Sequence, residues 1–239
     1  MSRKPKQNKA SRPRSRGAAR PAAAKQAVRR TRAEPDSPYH HGALRDALLQ
    51  AAEKVLERDG LVGLTLRAVA REAGVSHAAP THHFGDVTGL LSELAAIGYR
   101  RFGAAMAAAG ATAMPKERGL ASARAYVAYA LAHRGMYGLM FRAERLDMTR
   151  PALREAADAS FAGFAAAIGA NRGEQISTES LTLEQAGALT AAWSLMHGFS
   201  TLLIDGRLTK VFRGLPEGTK PETLLLATLM STLSRPPAH

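Results

Sequence analysis

The sequence predicts an all-α protein: an N-terminal three-helix domain with a helix-turn-helix, followed by a larger helical ligand-binding and dimerisation domain. Three observations carry this. Apolar residues recur at helical spacing from residue 44 to residue 233, with no strand-like alternation between them. The stretch TLRAVAREAGVSHAAPTHHF, residues 65 to 84, divides at Gly74 into two short helical runs. Charge is lopsided: residues 1 to 32 hold 12 of the 33 Lys and Arg and no acid, which leaves 21 basic residues against 20 acidic ones elsewhere.

Residues 1 to 38 form a basic tail, rich in Arg, Lys, Ala, Ser and Pro and without aromatic residues. Such a segment cannot bury enough apolar surface to offset the entropy of ordering, so it is expected to be disordered. It reads as a flexible arm that adds phosphate contacts; a targeting sequence and a solvated tail without a role are the alternatives.

The second segment, 39 to 101, is the DNA-binding domain. Tyr39, His40, His41 and Gly42 lead into a helix over 43 to 58, with Leu44, Leu48, Ala51 and Val55 as its buried stripe and Asp59-Gly60 as its stop. In the next helix Leu66, Val69, Ala70 and Ala73 make one apolar face, Thr65 is the N-cap, and Gly74 ends the helix in a left-handed conformation. Ser76 is placed to cap the following helix, and Pro80 falls close enough to that cap to remove at most one internal hydrogen bond. Ser76, His77, Thr81 and His82 then point outward. Two helices so joined leave the second free to enter the major groove of B-DNA, about 12 Å wide. Asp86 caps a longer helix that reaches about residue 109 and bridges to the rest.

The third segment, 102 to 236, is helix after helix: 116 to 133, 135 to 146, and one opened by Thr149-Arg150-Pro151, with a loop over 171 to 180. Thr182 with Gln185 and Thr219 with Glu222 read as capping boxes. Residues 186 to 204 carry no formal charge, but Thr190, Ser194, His197 and Thr201 form a polar stripe, which favours a packed helix over a membrane span. This helix and the last one are expected to pair in an isologous homodimer. Candidate lining for a ligand cavity is Phe102, Met106, Tyr126, Met136, Tyr137, Met140, Phe161, Phe164, Trp193 and His197, although Met and aromatic residues at helical spacing also make ordinary core.

The chain has no cysteine, so disulfides, thiolate metal sites and cysteine catalysis are excluded, and a reducing cytoplasm suits it. His40, His41, His77, His82 and His83 share one domain, yet the spacing from 77 to 82 misses the i, i+4 face that a metal pair needs. No metal and no other cofactor is expected. Nor does the C-terminal half assemble a nucleophile elbow, a phosphate loop or a carboxylate pair with a histidine, so an enzyme is not expected. The remaining alternative is a sequence-independent, nucleoid-type DNA binder driven by the tail.

Residues 39 to 91, YHHGALRDALLQAAEKVLERDGLVGLTLRAVAREAGVSHAAPTHHFGDVTGLL, resemble the N-terminal DNA-binding domain of TetR-type transcriptional regulators. HRGMYGLMF and AAWSLMHGFSTLLIDGRL resemble the C-terminal domain type named for its Trp, His and Gly. The resemblance implies a phosphate contact at Thr65 and a DNA-facing surface of Ser76, His77, Thr81, His82 and His83; Tyr39, His40 and Arg67 complete the candidate set. It also implies a homodimeric repressor of a palindromic operator on double-stranded DNA, released by a small, partly apolar effector, with activation as the alternative sign. Two departures stand out. Such proteins usually carry tyrosine where this chain has Thr81 and lysine where it has Val87. Each loss removes a phosphate-binding group, a deficit of about 1 kcal/mol.

Overall fold

The computed structural model describes residues 38–114 and 117–233, with side chains from residue 42 to residue 231. The basic tail up to residue 37 and the side chains of Tyr39 and His40 lie outside the described residues. Within them the protein is all helical.

Helix α1 (Pro38–Gly63) starts earlier than residue 43. Proline's fixed φ and missing N–H suit a first turn, so the lead-in is itself helical. Its regular part stops at Gly60 (φ 68°, ψ −176°), the stop that Asp59-Gly60 predicts. Helix α2 (Leu66–Ala73) opens on Thr65, whose side chain accepts from the Ala68 N–H at 3.1 Å, and closes on left-handed Gly74.

Helix α3 (Ala78–Phe84) begins differently from the expectation. The Ser76 carbonyl, not its hydroxyl, closes the first turn, accepting from the Ala79 N–H at 3.1 Å. With Ala78 as the first residue, Pro80 is the third, and its absent N–H is one of the four that no α-helix pairs internally. No helix hydrogen bond is lost, and the ring is buried beneath the helix.

Helix α4 (Val87–Thr112) is capped by Asp86, which accepts from the Gly89 N–H at 2.8 Å. It runs unbroken across residues 101 and 102 and packs on α5 (Arg118–Ala132) and α7 (Pro151–Arg172). Helix α6 (Arg134–Met140) is shorter than 135 to 146: the Tyr99 hydroxyl takes the Met140 carbonyl at 2.7 Å, and the chain resumes only as a single 3-10 turn, Ala143–Arg145. Helix α7 ends on left-handed Gly173 (φ 70°), so the loop starts there and not at 171.

Helix α8 (Leu183–Ile204) opens on the predicted box, Thr182 and Gln185 each accepting from the other's backbone at 3.1 Å. Helix α9 (Thr209–Arg213) has no counterpart in the sequence reading, and α10 (Pro221–Leu233) closes the fold. The second box does not form. With Pro221 leading, the cap position falls on Lys220, and the Thr219 hydroxyl instead donates to the Pro216 carbonyl at 2.6 Å.

One apolar core links the parts. Leu48, Val55, Leu64, Val69 and Phe84 continue through Leu90 and Leu94 on α4 to Phe102, Tyr126, Met136, Met140 and Leu153. Where α4 meets α6, Gly98 leaves room for the Met136 and Met140 sulfurs, each within 3 Å of where a Cβ would stand.

Candidate nucleic-acid interface and cavity

Helix α3 presents its outer side to solvent. Ser76, His77, Thr81 and His82 are exposed, as are Thr65 and Arg67 at the start of α2. His83 is half-buried, its ring 5.5 Å from that of His82 and 6.2 Å from that of Phe84. Since Thr65 Oγ1 already accepts from a backbone N–H, its own proton is what it has to offer, and a phosphate oxygen accepts such a proton. Beneath the helix, Pro80 and Phe84 are buried, with the Arg45 guanidinium 5.8 Å from the centre of the Phe84 ring.

The far end of α3 is held by a residue the sequence did not single out. The Phe84 carbonyl is one of the four that a helix leaves unpaired at its C-terminus. Arg150, the residue before α7, donates to it from Nη2 at 3.2 Å, a cation on the negative end of a helix dipole. The same guanidinium lies 4.0 Å from Glu93 on α4 and 3.5 Å from Asp147, and Glu93 also pairs with Arg45 of α1 at 2.6 Å. Next to Glu93 on α4, Ser92 accepts from the Asp147 N–H at 2.9 Å and donates to the Thr88 carbonyl at 2.7 Å. Gly89 makes this approach possible. A Cβ there would stand 2.1 Å from the Phe84 carbonyl oxygen and 2.5 Å from Arg150 Nη2. A second tie joins α1 to α6, whose Met136 N–H donates to Glu57 at 3.3 Å.

Between α4, α5, α7, α8 and α10 lies a cavity of about 1310 Å³. Of the ten candidate lining residues, Met106, Tyr126 and Phe164 stand on its wall. Phe102, Met136, Tyr137 and Met140 are instead core, packed behind that wall, because edge-on ring contacts of Phe102 with Tyr126 and Tyr129 at 4.8 and 5.3 Å fill the space. Phe161 and Trp193 pair with each other at 5.9 Å, Trp193 being 43% exposed. Nearly half of the lining residues are alanine or glycine, among them Gly103, Ala104, Ala107 and Gly110 on α4.

Behind Tyr126 runs a chain of polar groups. Its hydroxyl lies 3.2 Å from the Tyr137 hydroxyl, which lies 2.8 Å from His197 Nδ1. Burial lowers the His197 pKa from the ordinary 6.5 and raises those of both tyrosines. A neutral imidazole protonated at Nε2 accepts at Nδ1 from the Tyr137 hydroxyl.

Two family models match this chain. One, bacterial regulatory proteins of the tetR family, covers residues 48–94; the other, the tetracyclin repressor-like C-terminal domain, covers residues 120–219. Among solved structures, a protein of unknown function from Rhodococcus sp. RHA1 is 35% identical, over 82% of this chain and 96% of that one, with a TM-score of 0.65. The TetR family transcriptional regulator PfmR from Thermus thermophilus is 21% identical over 76% and 93% of the two chains, TM-score 0.52. A bacterial regulatory protein in the tetR family from Rhodococcus RHA1 is 20% identical over 80% and 95%, TM-score 0.54, and these two share the fold. No curated protein matches. Fold and matches together define a helix-turn-helix DNA-binding transcriptional regulator. The chain belongs to the TetR family, across both its N-terminal and its C-terminal parts.

Proposed function

We propose that this regulator is a cytoplasmic homodimeric repressor, without catalytic activity, that holds a palindromic operator until a small, partly apolar effector enters the cavity. Residues 39 to 101 read DNA through Thr65, Arg67, Ser76, His77, Thr81, His82 and His83, with Tyr39 and His40 beside them. Residues 102 to 236 bind the effector and pair the protomers.

The observation that carries this reading is the double role of α7. Its first turn adjoins Arg150, which holds the last carbonyl of α3, while residues from Ala156 to Arg172 form a wall of the cavity. A ligand that displaces α7 therefore pulls on the recognition helix. Two such helices must stand about 34 to 36 Å apart to occupy successive major grooves, so a small change at each protomer lowers affinity for a two-fold site.

Pairing is supported by an apolar surface on α8 and α10, where Leu183 is 91% exposed, Leu202 44% and Met230 57%, more than a monomer's isolated helices ordinarily leave open. Helix α8 is also long and apolar enough to cross a membrane. Its Met196, Phe199 and Ser200 are buried against the body of the protein, and its polar stripe suits helix packing. Selection of bound duplexes from a random pool tests the proposal: enrichment of a palindrome supports it, and an unenriched pool supports sequence-independent binding by the tail.

A further inference from the structure

The cavity exceeds the roughly 300–1,000 Å³ of pockets that enclose drug-sized ligands. Along α4 its lining runs from Tyr99 to Gly110, roughly 16 Å at 1.5 Å per residue, so it is a slot. Its walls combine small residues with Tyr99, Tyr126, Met106, Phe164, Met196 and Leu226, and among the described residues no Asp or Glu lines it. A cation inside would meet no carboxylate, an expensive burial.

The ionised groups on the lining are Arg100, Arg118 and Arg172. Arg172 is already paired with Glu174 and Glu184, whereas neither Arg100 nor Arg118 has an ion-pair partner among the described residues; of these two only Arg118 stands at a helix N-terminus, that of α5. Arg118 stands at one end of the slot. There α5 begins, Gly110 of α4 approaches the Arg118 carbonyl, and Gly119 lies against the Asn171 amide of α7. The first turn of α5 receives no side-chain cap from Glu117. At the inner wall, the Tyr126 hydroxyl is engaged with that of Tyr137 at 3.2 Å. Anionic groups are favoured at the Arg118 end and apolar ones along the rest.

Resting on the reading of the cavity as the effector site, we infer that its ligand is a long apolar molecule with one anionic end, the chain lying along the Ala and Gly wall and the anion at Arg118. Calorimetric titration of the full chain with laurate, dodecanol and dodecyltrimethylammonium, three ligands with one chain and different heads, tests this. Laurate should bind about fivefold tighter than dodecanol, the scale of one partly exposed ion pair, and dodecyltrimethylammonium should bind more weakly than either. Arg118→Gln should abolish the advantage of laurate and leave dodecanol unchanged, while Arg100→Gln should leave the order intact. Equal or tighter binding of the cationic ligand, an unaltered laurate affinity in Arg118→Gln, or no binding of any of the three overturns the inference. Operator release is measured separately: laurate that binds without loosening the duplex keeps the ligand class and removes the effector role.

Discussion

The clamp between Arg150, Gly89 and the Phe84 carbonyl can be tested by a double-mutant cycle. In Gly89→Ala the new Cβ would lie 2.1 Å from a backbone oxygen and 2.5 Å from Arg150 Nη2, so either α3 or Arg150 must move. Overpacking of this kind costs about 1–3 kcal/mol, offset in part by about 0.5–1 kcal/mol from replacing a helical glycine. In Arg150→Ala, loss of one hydrogen bond from a charged donor costs about 1.5–3 kcal/mol, and its longer, partly exposed ion pairs with Glu93 and Asp147 add little. Because the guanidinium is one of the two obstacles that the new methyl meets, Gly89→Ala should cost about 1 kcal/mol less once Arg150 is gone. Urea unfolding of the four proteins reads this directly. Additivity within about 0.5 kcal/mol would refute the clamp. The same clamp predicts that a ligand able to release the operator from the wild type releases it poorly from Arg150→Ala.

Further outcomes follow from the sites. Thr81→Tyr, which restores the ring and reach usual in the family, should tighten operator binding about fivefold, or about 1 kcal/mol, in a fluorescence anisotropy titration; an unchanged Kd contradicts a backbone contact at this position. Deleting residues 1 to 32, with their 12 basic side chains, should flatten the dependence of log Kd on log salt, and an unchanged slope removes the arm from the DNA complex. His197 is held below 6.5 by burial, so as pH falls through 6.5 the unfolded chain takes up a proton before the folded one does. Stability is therefore fully present above that value and declines below it. His197→Gln, which can still accept from Tyr137, should lose less stability between about pH 7 and pH 5 than the wild type, and identical profiles contradict a neutral imidazole.

Local chemistry was legible in the sequence and distant chemistry was not. Thr65, Gly74, Asp86 and the Thr182/Gln185 box act within one turn of themselves, so spacing alone identifies them. Thr219 shows the limit of that method: a box pattern one residue out of step with Pro221 forms other bonds. Arg150 and Phe84 are 66 residues apart, and Tyr137 and His197 are 60 apart; no periodicity reports such a meeting. Large Met and aromatic side chains carry the familiar signal of a binding site. Phe102, Met136, Tyr137 and Met140 fill the core instead, and space is left where side chains are short. The runs AAMAAAGA on α4 and AGFAAAIGA on α7 were the available sign of it.

In the proposed function α3 is offered to DNA twice, in symmetry. Titrating the full chain at physiological salt into a duplex recovered by selection, with the wild type beside His77→Ala, tests it most directly. Saturation is expected at two chains per duplex, with a loss of at least about tenfold in affinity in the variant, confined to the selected sequence. Saturation at one chain, or a variant that binds as the wild type does, would contradict it.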